Sequence, residues 1–318
     1  MSRTHIVHGA NIARKILNNV KQDIYTRLST DYVSRAPTVA SIIVGNHVEA
    51  RRDLERKARA CAEVGINMKI IEMNAKTNPH KLSAKIQELN IDDNIDSIAV
   101  QLPLPKGFNP LQISSQIDIR KDVDGFHPFN IGGVSMGFNT FTPNAMQAIV
   151  SLIDSEIGIS WLEGKHVVIC GRSDHLCKPL QMWLQGSPTK NAVRPGANAT
   201  VTLLHDMTNP EKVYSEIAEA DMIITSTDTN SQWLTGDMIK PGAVVIDAGF
   251  NRCPVSKQVF GDVDFHSCNG VAGVLTQTPG GVGPLITAEF CKSVLRSSTN
   301  SCKNTQGMAN NDIRQFFS

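Results

Sequence analysis

The sequence predicts an α/β protein with two αβα domains and a cleft between them. Its 318 residues suffice for about two domains of ordinary size. Short runs rich in β-branched residues alternate with segments whose apolar residues recur at helical spacing, as in a parallel sheet covered by helices. This alternation occurs in two series, one before and one after residue 150. A cleft between two such domains is a common place for a cofactor to meet a substrate.

The first series contains predicted helices and strands in alternation. Ile12, Ile16 and Val20 recur at helical spacing and mark the first helix. A β-rich run that follows Pro37 and stops at Gly45 marks the first strand. In chain order the predicted elements are a helix over Ala10–Leu28, a strand over Thr38–Val44, a helix over Val48–Val64, a strand over Met68–Glu72, a helix over Pro79–Leu89, a strand over Ser97–Gln101 and a helix over Asn144–Ile153.

The second series has strands over His166–Cys170, Thr200–Leu204, Met222–Ser226 and Val244–Asp247, with helices near Pro179–Gln185 and Pro210–Ala218. An apolar segment over 285–296 predicts one more helix. We therefore assign residues 1–150 with 285–296 to one domain and residues 151–284 to the other. The Ser- and Asn-rich tail, residues 297–318, is predicted to be disordered.

Composition excludes several classes of protein. With 31 Lys and Arg against 30 Asp and Glu, the chain has no excess charge to hold a nucleic acid or a membrane surface. No apolar run approaches the ~20 residues of a membrane span. The seven cysteines are scattered without a Cys-x-x-Cys pair, which predicts a reducing compartment and no zinc site. The N-terminus lacks a secretory signal, so we expect a cytoplasmic protein and leave mitochondrial import open.

Ligands of parallel α/β sheets bind beyond the carboxyl ends of the strands, and polar or glycine-rich loops follow several strands here. Each loop also has an ordinary structural interpretation: a solvated Gln101, an Asp122/Asp124 pair that caps a turn, or a glycine-rich linker. The segments are Gln101-Leu-Pro-Leu-Pro105, Lys121-Asp-Val-Asp-Gly-Phe-His-Pro128, Gly171-Arg-Ser173 and Pro279-Gly-Gly-Val-Gly-Pro284.

These four segments, in this order, resemble the signatures of the bifunctional methylenetetrahydrofolate dehydrogenase/methenyltetrahydrofolate cyclohydrolase family. The resemblance extends from about Ile6 to Arg296. It implies a folate-binding catalytic domain, a Rossmann-like NAD(P)-binding domain and a homodimer. It implies oxidation of 5,10-methylenetetrahydrofolate to the methenyl compound, followed by hydrolysis to 10-formyltetrahydrofolate.

By this resemblance Lys57 is the central catalytic group, Gln101 assists it, and Asp124 holds the pterin. A carboxylate suits the pterin edge because it accepts two parallel hydrogen bonds. Folate contacts are implied for Asp53, Leu102, Pro103, Asp124, Pro279, Gly280 and Gly281. Cofactor contacts are implied for Gly171, Arg172, Ser173, His205, Asp206, Thr227, Asp228 and Gly283. We predict no metal site, because no His and carboxylate groups have the spacing of metal ligands.

The chain departs from the family pattern at several positions. Asp53 replaces a Tyr four residues before Lys57, and positions i and i+4 of a helix are neighbours, so we expect the two side chains to face each other. A carboxylate there favours charged lysine, which predicts weakened hydrolysis. Cys177 replaces a Gly and is expected to crowd the cofactor pyrophosphate, and Asp228 replaces a Gly and is expected to repel the cofactor. Phe141 replaces a Cys and is interpreted as repacking of the link between domains.

Two charges near the predicted second strand of this domain bear on the choice between NAD and NADP. Asp206 would accept hydrogen bonds from a ribose 2′-hydroxyl and repel a 2′-phosphate. Arg172 would attract that phosphate. We favour NAD, because Met207 follows Asp206 and no Arg or Lys adjoins Asp206 in sequence.

Two other functions remain open on the sequence alone. The substitutions at Asp53, Cys177 and Asp228 would suit a non-catalytic descendant that binds folate or a nucleotide as a regulatory protein. A two-domain dehydrogenase acting on a small carbonyl acid is the other alternative, and the substrate-side motifs argue against it.

Overall fold

The computed structural model describes residues 3–30, 35–187 and 195–305, with side chains described as far as residue 299. The chain divides into two compact units. The first unit consists of Met1–Ala13, Val134–Phe138 and Ala145–Ile286, and the second of Arg14–Gly133, Asn139–Asn144 and Thr287–Ser318.

Helices and strands alternate along most of the described chain. The helices are α1 (Gly9–Ser29), α2 (Val48–Val64), α3 (Pro79–Ile91), α4 (Pro110–Ser114), α5 (Pro128–Met136), α6 (Asn144–Glu156), α7 (Cys177–Leu184), α8 (Pro210–Glu219), α9 (Phe265–Cys268) and α10 (Val282–Thr305), with a 3₁₀ helix over Ile159–Leu162. The strands are β1 (His5–Val7), β2 (Thr38–Val44), β3 (Asn67–Met73), β4 (Ser97–Val100), β5 (His166–Cys170), β6 (Thr200–Leu204), β7 (Met222–Thr225), β8 (Val244–Asp247), β9 (Asn251–Arg252), β10 (Val259–Phe260) and β11 (Val274–Thr276).

The first unit is built on a six-stranded parallel sheet in the order β1-β11-β8-β7-β5-β6. Its central strands β7 and β8 are buried at every residue, as expected of a parallel sheet covered on both faces. The loops that follow β5, β6 and β7 therefore meet at one edge of this sheet, beyond the carboxyl ends of the strands.

The second unit contains a three-stranded parallel sheet in the order β3-β2-β4. The central strand β2 is buried along its whole length. On one face, Val39 and Ala99 pack with Cys61 of α2 and Phe290 of α10 in a single apolar cluster. This packing fixes α2 over the sheet and so determines where the polar residues of α2 lie.

Local sequence signals account for the ends of several helices. His47 caps the N-terminus of α2, where its side chain accepts a hydrogen bond from the Ala50 amide. Gly65 ends the same helix in the left-handed region at φ 87°. Asn78 and Asn209 cap α3 and α8, each followed by a proline in the first turn.

The predicted helices and strands given above are all present, with ends shifted by a few residues except at the C-terminus of α10, which lies nine residues beyond the predicted end. The domain boundaries differ from the prediction. The sequence analysis missed β1 and β11, which pair in parallel, so that residues 1–13 belong to the first unit with residues 145–286. Three residues are too few for a periodic pattern, and their partners lie more than 260 positions away.

The prediction of a disordered tail is wrong for residues 297–305, because α10 continues to Thr305. Its Ser and Thr side chains bond inside the structure instead of disrupting the helix. Ser298 and Thr299 donate to the Leu295 carbonyl, and the buried Ser297 hydroxyl donates to the carbonyls of Asp96 and Arg120. The rest of the predicted tail, residues 306–318, lies outside the described residues. No helix of the described chain is both long and apolar enough to cross a membrane.

Candidate functional site

The Lys57 ammonium group lies between two carboxylates in the second unit. Its Nζ is 3.2 Å from Asp53 Oδ2 and 3.4 Å from Asp124 Oδ1. The Phe290 ring lies beside it, with its centroid 4.6 Å from Nζ. We call Asp53, Lys57, Asp124 and Phe290 the amine site. The expectation that Asp53 and Lys57 face each other one turn apart on α2 is confirmed.

Charge determines the protonation state of this site. Burial alone would lower the pKa of Lys57, whose side chain is 8% exposed, but Asp124 and Asp53 outweigh burial and raise it. Burial alone would raise the pKa of Asp53, but the charges of Lys57 and Arg56 lower it. Arg56 Nη2 is 3.0 Å from Asp53 Oδ1. Lys57 is therefore held as an ammonium ion, which agrees with the prediction that Asp53 makes it harder to deprotonate.

Two aspartates in the loop between α4 and α5, Asp122 and Asp124, have different roles. Asp122 is buried and caps the loop, because its carboxylate accepts from the amides of Phe126 and His127 and from Asn130 Nδ2. Burial raises the pKa of Asp122 to about 6. Of these two aspartates, Asp124 is the one that contacts Lys57. The turn-capping interpretation thus holds for Asp122, whereas Asp124 belongs to the amine site.

Gln101 follows β4 in the same unit and is 4% exposed. Its backbone amide donates to the Ile42 carbonyl, while its side-chain Nε2 has no partner among the described residues. A buried donor without a partner is costly unless a ligand supplies an acceptor. Leu102 and Pro103 follow, joined by a cis peptide bond, with Leu102 half-buried and Pro103 exposed.

The first unit has an open pocket of about 680 Å³ beyond the carboxyl ends of β5, β6 and β7. We call it the strand-end pocket. Seven of the eight predicted cofactor residues line it, and Gly283 does not. These seven are Gly171, Arg172, Ser173, His205, Asp206, Thr227 and Asp228. Gly283 is the exposed second residue of α10, and its assignment stays a prediction.

The floor of the strand-end pocket requires a glycine. A Cβ atom on Gly171, whose φ is 141°, would lie 2.3 Å from the Ser226 carbonyl oxygen and 2.8 Å from Cys177 Sγ. The expectation that Cys177 crowds the cofactor pyrophosphate stays a prediction. Its side chain is fully buried and does not line the pocket, because it fills the space beneath Gly171. The N-terminus of α7, which begins at Cys177, has no side-chain cap.

Arg172 and Asp206, which oppose each other in the choice of cofactor, form an ion pair at the rim of this pocket. Arg172 Nη2 is 2.8 Å from Asp206 Oδ1 and 3.1 Å from Oδ2. Asp206 thus has a basic neighbour in space that the sequence does not show. Asp228 is exposed on the pocket wall, and the Thr227 amide donates to the buried Asp262 carboxylate.

The predicted glycine-rich folate residues lie in the first unit, whereas the amine site lies in the second. Pro279 and Gly280 are exposed, and Gly281 is buried where a Cβ on Gly9 would meet its carbonyl at 1.8 Å. The sequence predicted a loop as far as Pro284, but α10 already begins at Val282. A folate role for Pro279, Gly280 and Gly281 stays a prediction.

The sequence analysis missed three side chains at the amine site and the strand-end pocket. Phe290 was recognisable only as part of an apolar helix stripe. Trp233 lines the strand-end pocket and donates to Thr227 Oγ1 at 3.1 Å. Asn144 donates to Asp124 Oδ1 at 3.3 Å, a contact that no local spacing indicates. Within the described residues, no three His, Cys, Asp or Glu side chains are grouped to hold a metal ion.

Two family models match most of the chain. Residues 7–124 match the catalytic domain of tetrahydrofolate dehydrogenase/cyclohydrolase, and residues 142–302 match its NAD(P)-binding domain. The chain belongs to the tetrahydrofolate dehydrogenase/cyclohydrolase family. Lys57, Gln101 and Asp124 fall within the first match, and the strand-end pocket falls within the second.

Named relatives of this family cover nearly the whole chain. The bifunctional protein FolD of Oleidesulfovibrio alaskensis is 35% identical over 297 residues, which are 93% of this chain and 99% of that protein. A 5,10-methylenetetrahydrofolate dehydrogenase from the silkworm Bombyx mori has a TM-score of 0.86 at 32% identity, covering 95% and 99% of the two chains. The FolD of Trypanosoma brucei, solved with NADP and an inhibitor, has a TM-score of 0.86 at 27% identity, covering 95% and 99%.

Proposed function

We propose that this protein oxidises 5,10-methylenetetrahydrofolate with a nicotinamide cofactor and hydrolyses the product. In the first step a hydride leaves the one-carbon bridge, which gives the 5,10-methenyl cation and the reduced nicotinamide. In the second step water adds to that cation, a proton is lost and the ring opens to 10-formyltetrahydrofolate. Family membership supports both steps, and the comparisons give no support to the non-catalytic alternative.

The observation that carries this proposal is the buried ammonium group of Lys57 between two carboxylates. Hydrolysis requires proton transfers at the one-carbon unit, and a lysine placed beside that unit is a group that can perform them. Gln101 Nε2, buried without a partner, is available to hold the substrate or the attacking water. Asp124 offers a carboxylate to the N–H groups of the pterin.

The strand-end pocket fits a dinucleotide on the evidence of its own residues. The pocket lies beyond the carboxyl ends of β5, β6 and β7, where doubly wound parallel sheets bind dinucleotides, and Gly171 brings the backbone after β5 to its wall. The nicotinamide supplies hydride acceptance when bound. The chain's own residues hold its phosphates and ribose and exclude water.

We propose NAD as the preferred cofactor. Asp206 neutralises Arg172, so a 2′-phosphate would have to displace a carboxylate already 2.8 Å from the guanidinium. The exposed Asp228 adds negative charge to the same pocket. A ribose 2′-hydroxyl, by contrast, can donate to Asp206 without breaking the pair.

A homodimer and a cytoplasmic location stay predictions from the resemblance and the sequence. Size-exclusion chromatography with light scattering would measure the mass of the assembly directly. A mass of one chain would contradict the first prediction, and localisation of a tagged full-length chain would test the second.

The decisive experiment mixes the purified full-length chain with 5,10-methylenetetrahydrofolate and either NAD or NADP. We expect reduced nicotinamide to form, followed by loss of the methenyl absorbance. Lys57→Met should slow hydrolysis by at least about 100-fold, since a positioned acid–base group contributes that much. Lys85→Met, which removes a half-buried lysine paired with Glu88 on α3, is the matched control and should leave both rates unchanged. A wild-type protein that neither reduces the nicotinamide nor binds tetrahydrofolate would overturn the proposal.

A further inference from the structure

Two helices contact the same oxygen of the Asp124 carboxylate. Lys57 reaches it from α2, and Asn144 reaches it from α6. Asn144 begins α6 and is 5% exposed. Its Nδ2 donates to the Val123 carbonyl at 3.0 Å and to Asp124 Oδ1 at 3.3 Å. Its Oδ1 accepts from the Ser293 hydroxyl at 3.1 Å.

These contacts leave one orientation for the Asn144 amide. A flipped amide would set its oxygen against the oxygens of Val123 and Asp124 and would leave the Ser293 hydroxyl facing an NH₂ group. Every hydrogen-bonding atom of the side chain is therefore used. A planar amide fixed in this way donates its hydrogen bond to Asp124 along one direction. The ammonium group of Lys57 orients the carboxylate less, because its donors rotate and its side chain is flexible.

The two oxygens of Asp124 are unequal as a result. Oδ1 contacts both the Lys57 ammonium and the Asn144 amide. No described residue donates a hydrogen bond to Oδ2, although Asp124 is only 6% exposed. Oδ2 therefore keeps its lone pairs for a ligand N–H group, for which a carboxylate oxygen is a strong acceptor.

We propose that Asn144, fixed by Ser293, is a positioning residue that sets the plane of the Asp124 carboxylate and leaves Oδ2 for the N–H groups of the pterin. The inference rests on the proposed function and assigns part of its folate affinity to a residue outside the recognised motifs. It applies to substrate binding. The hydride and proton transfers are left to the cofactor and to Lys57.

The test compares Asn144→Ala and Ser293→Ala with a matched control, Asn90→Ala. Asn90 also bridges two backbone groups, accepting from the Asp118 amide and donating to the Gln116 carbonyl, but it does not contact the amine site. We expect Asn144→Ala to raise KM for methylenetetrahydrofolate and Kd for tetrahydrofolate about tenfold with kcat changed less than about twofold, as suits one hydrogen bond to a charge. Ser293→Ala should act in the same direction by about threefold, and Asn90→Ala should leave KM unchanged.

Asn144→Asp supplies a pH readout that a structural role would not give. Two carboxyl groups in hydrogen-bond contact share a proton, and their pair has one raised pKa. Below that pKa the introduced carboxyl donates to Asp124 as the amide does, and above it the two anions repel each other. The folate affinity of Asn144→Asp should therefore approach the wild-type value below the raised pKa of the pair and fall as the pH rises through it. The affinity of the wild-type protein should show no such fall over the same pH values.

The outcomes separate the two proposals. A wild-type enzyme that is active, with Asn144→Ala folded and its KM unchanged, overturns this inference and leaves the proposed function intact. A similar rise of KM in Asn90→Ala also overturns it. A wild-type chain without folate binding overturns both. If Asn144→Ala does not fold, the pH dependence of Asn144→Asp decides the question.

Discussion

Replacing Asp53 by Asn should release Lys57 for proton transfer and speed hydrolysis. The substitution keeps the shape of the side chain and removes one of the two charges that raise the pKa of Lys57. Asp124, 3.4 Å away, remains as the other. Arg56 then loses Asp53 as its partner on the same helix, and its unpaired positive charge also lowers the pKa of Lys57.

The magnitude follows from the distance and the exposure. Two unit charges 3.2 Å apart at an effective dielectric constant of about 20 interact by roughly 5 kcal/mol, which is an upper bound. Water screens the pair, because the Asp53 side chain is 31% exposed, and Arg56 shares its charge. A net loss of about 1.4 kcal/mol lowers the pKa of Lys57 by about one unit. The neutral fraction of a lysine that is mostly charged then rises about tenfold.

The assay follows decay of methenyltetrahydrofolate and formation of reduced nicotinamide separately over a range of pH. A neutral amine exists only above its pKa, so hydrolysis by wild type rises as the pH rises through the pKa of Lys57. In Asp53→Asn this rise should begin about one unit lower, with up to about tenfold faster hydrolysis at neutral pH. Asp53→Tyr, which restores the family residue, should also speed hydrolysis. Glu49→Gln removes a carboxylate paired with Arg52 on the same helix and serves as control. An unchanged pH profile in Asp53→Asn would refute the reasoning.

Three further predictions concern other parts of the molecule. Asp206→Asn frees Arg172 for a 2′-phosphate and should raise the ratio of NADP to NAD activity at least about tenfold in steady-state assays, since the lost charge no longer competes; an unchanged ratio would contradict the proposed cofactor preference. Gly171→Ala places a methyl group 2.3 Å from the Ser226 carbonyl, so calorimetry should show at least about tenfold weaker NAD binding. Phe141→Ala empties a buried site in the core of the second unit and should lower the free energy of unfolding by about 3–5 kcal/mol in denaturant titration.

Patterns of neighbouring residues predicted most of the helices and strands, because short-range periodicity and residue preferences determine them. Helical spacing and β-branched runs predicted seven of the nine strands in the two parallel sheets, all but β1 and β11, and the helix spacing of Asp53 and Lys57 predicted their contact at 3.2 Å. A gap-free count from the end of β2 selected Lys57 by the family resemblance, and its catalytic role stays a prediction.

Contacts between distant residues were beyond such patterns. Arg172 and Asp206 are 34 positions apart, and they meet only because β5 and β6 are neighbours in the sheet. Asp124 lies in a loop and Asn144 begins α6, 20 positions later, so no helical or strand periodicity relates them in the sequence. Phe141, expected to repack the link between domains, instead joins the apolar cluster of the second unit, with the Arg296 guanidinium 4.7 Å from its ring centroid.

The position of Asp53 affects the two proposed steps in opposite ways. Oxidation creates a cation at the one-carbon unit, and a carboxylate near Lys57 offsets the charge of an ammonium that would otherwise oppose it. Hydrolysis needs the neutral form of the same lysine, and the Asp53 carboxylate disfavours that form because it raises the pKa of Lys57. When the pterin engages Asp124, Asp53 is the carboxylate that continues to pair with Lys57. On the proposed function, the replacement of Tyr by Asp therefore shifts the balance toward oxidation, and the methenyl compound should accumulate before it is hydrolysed.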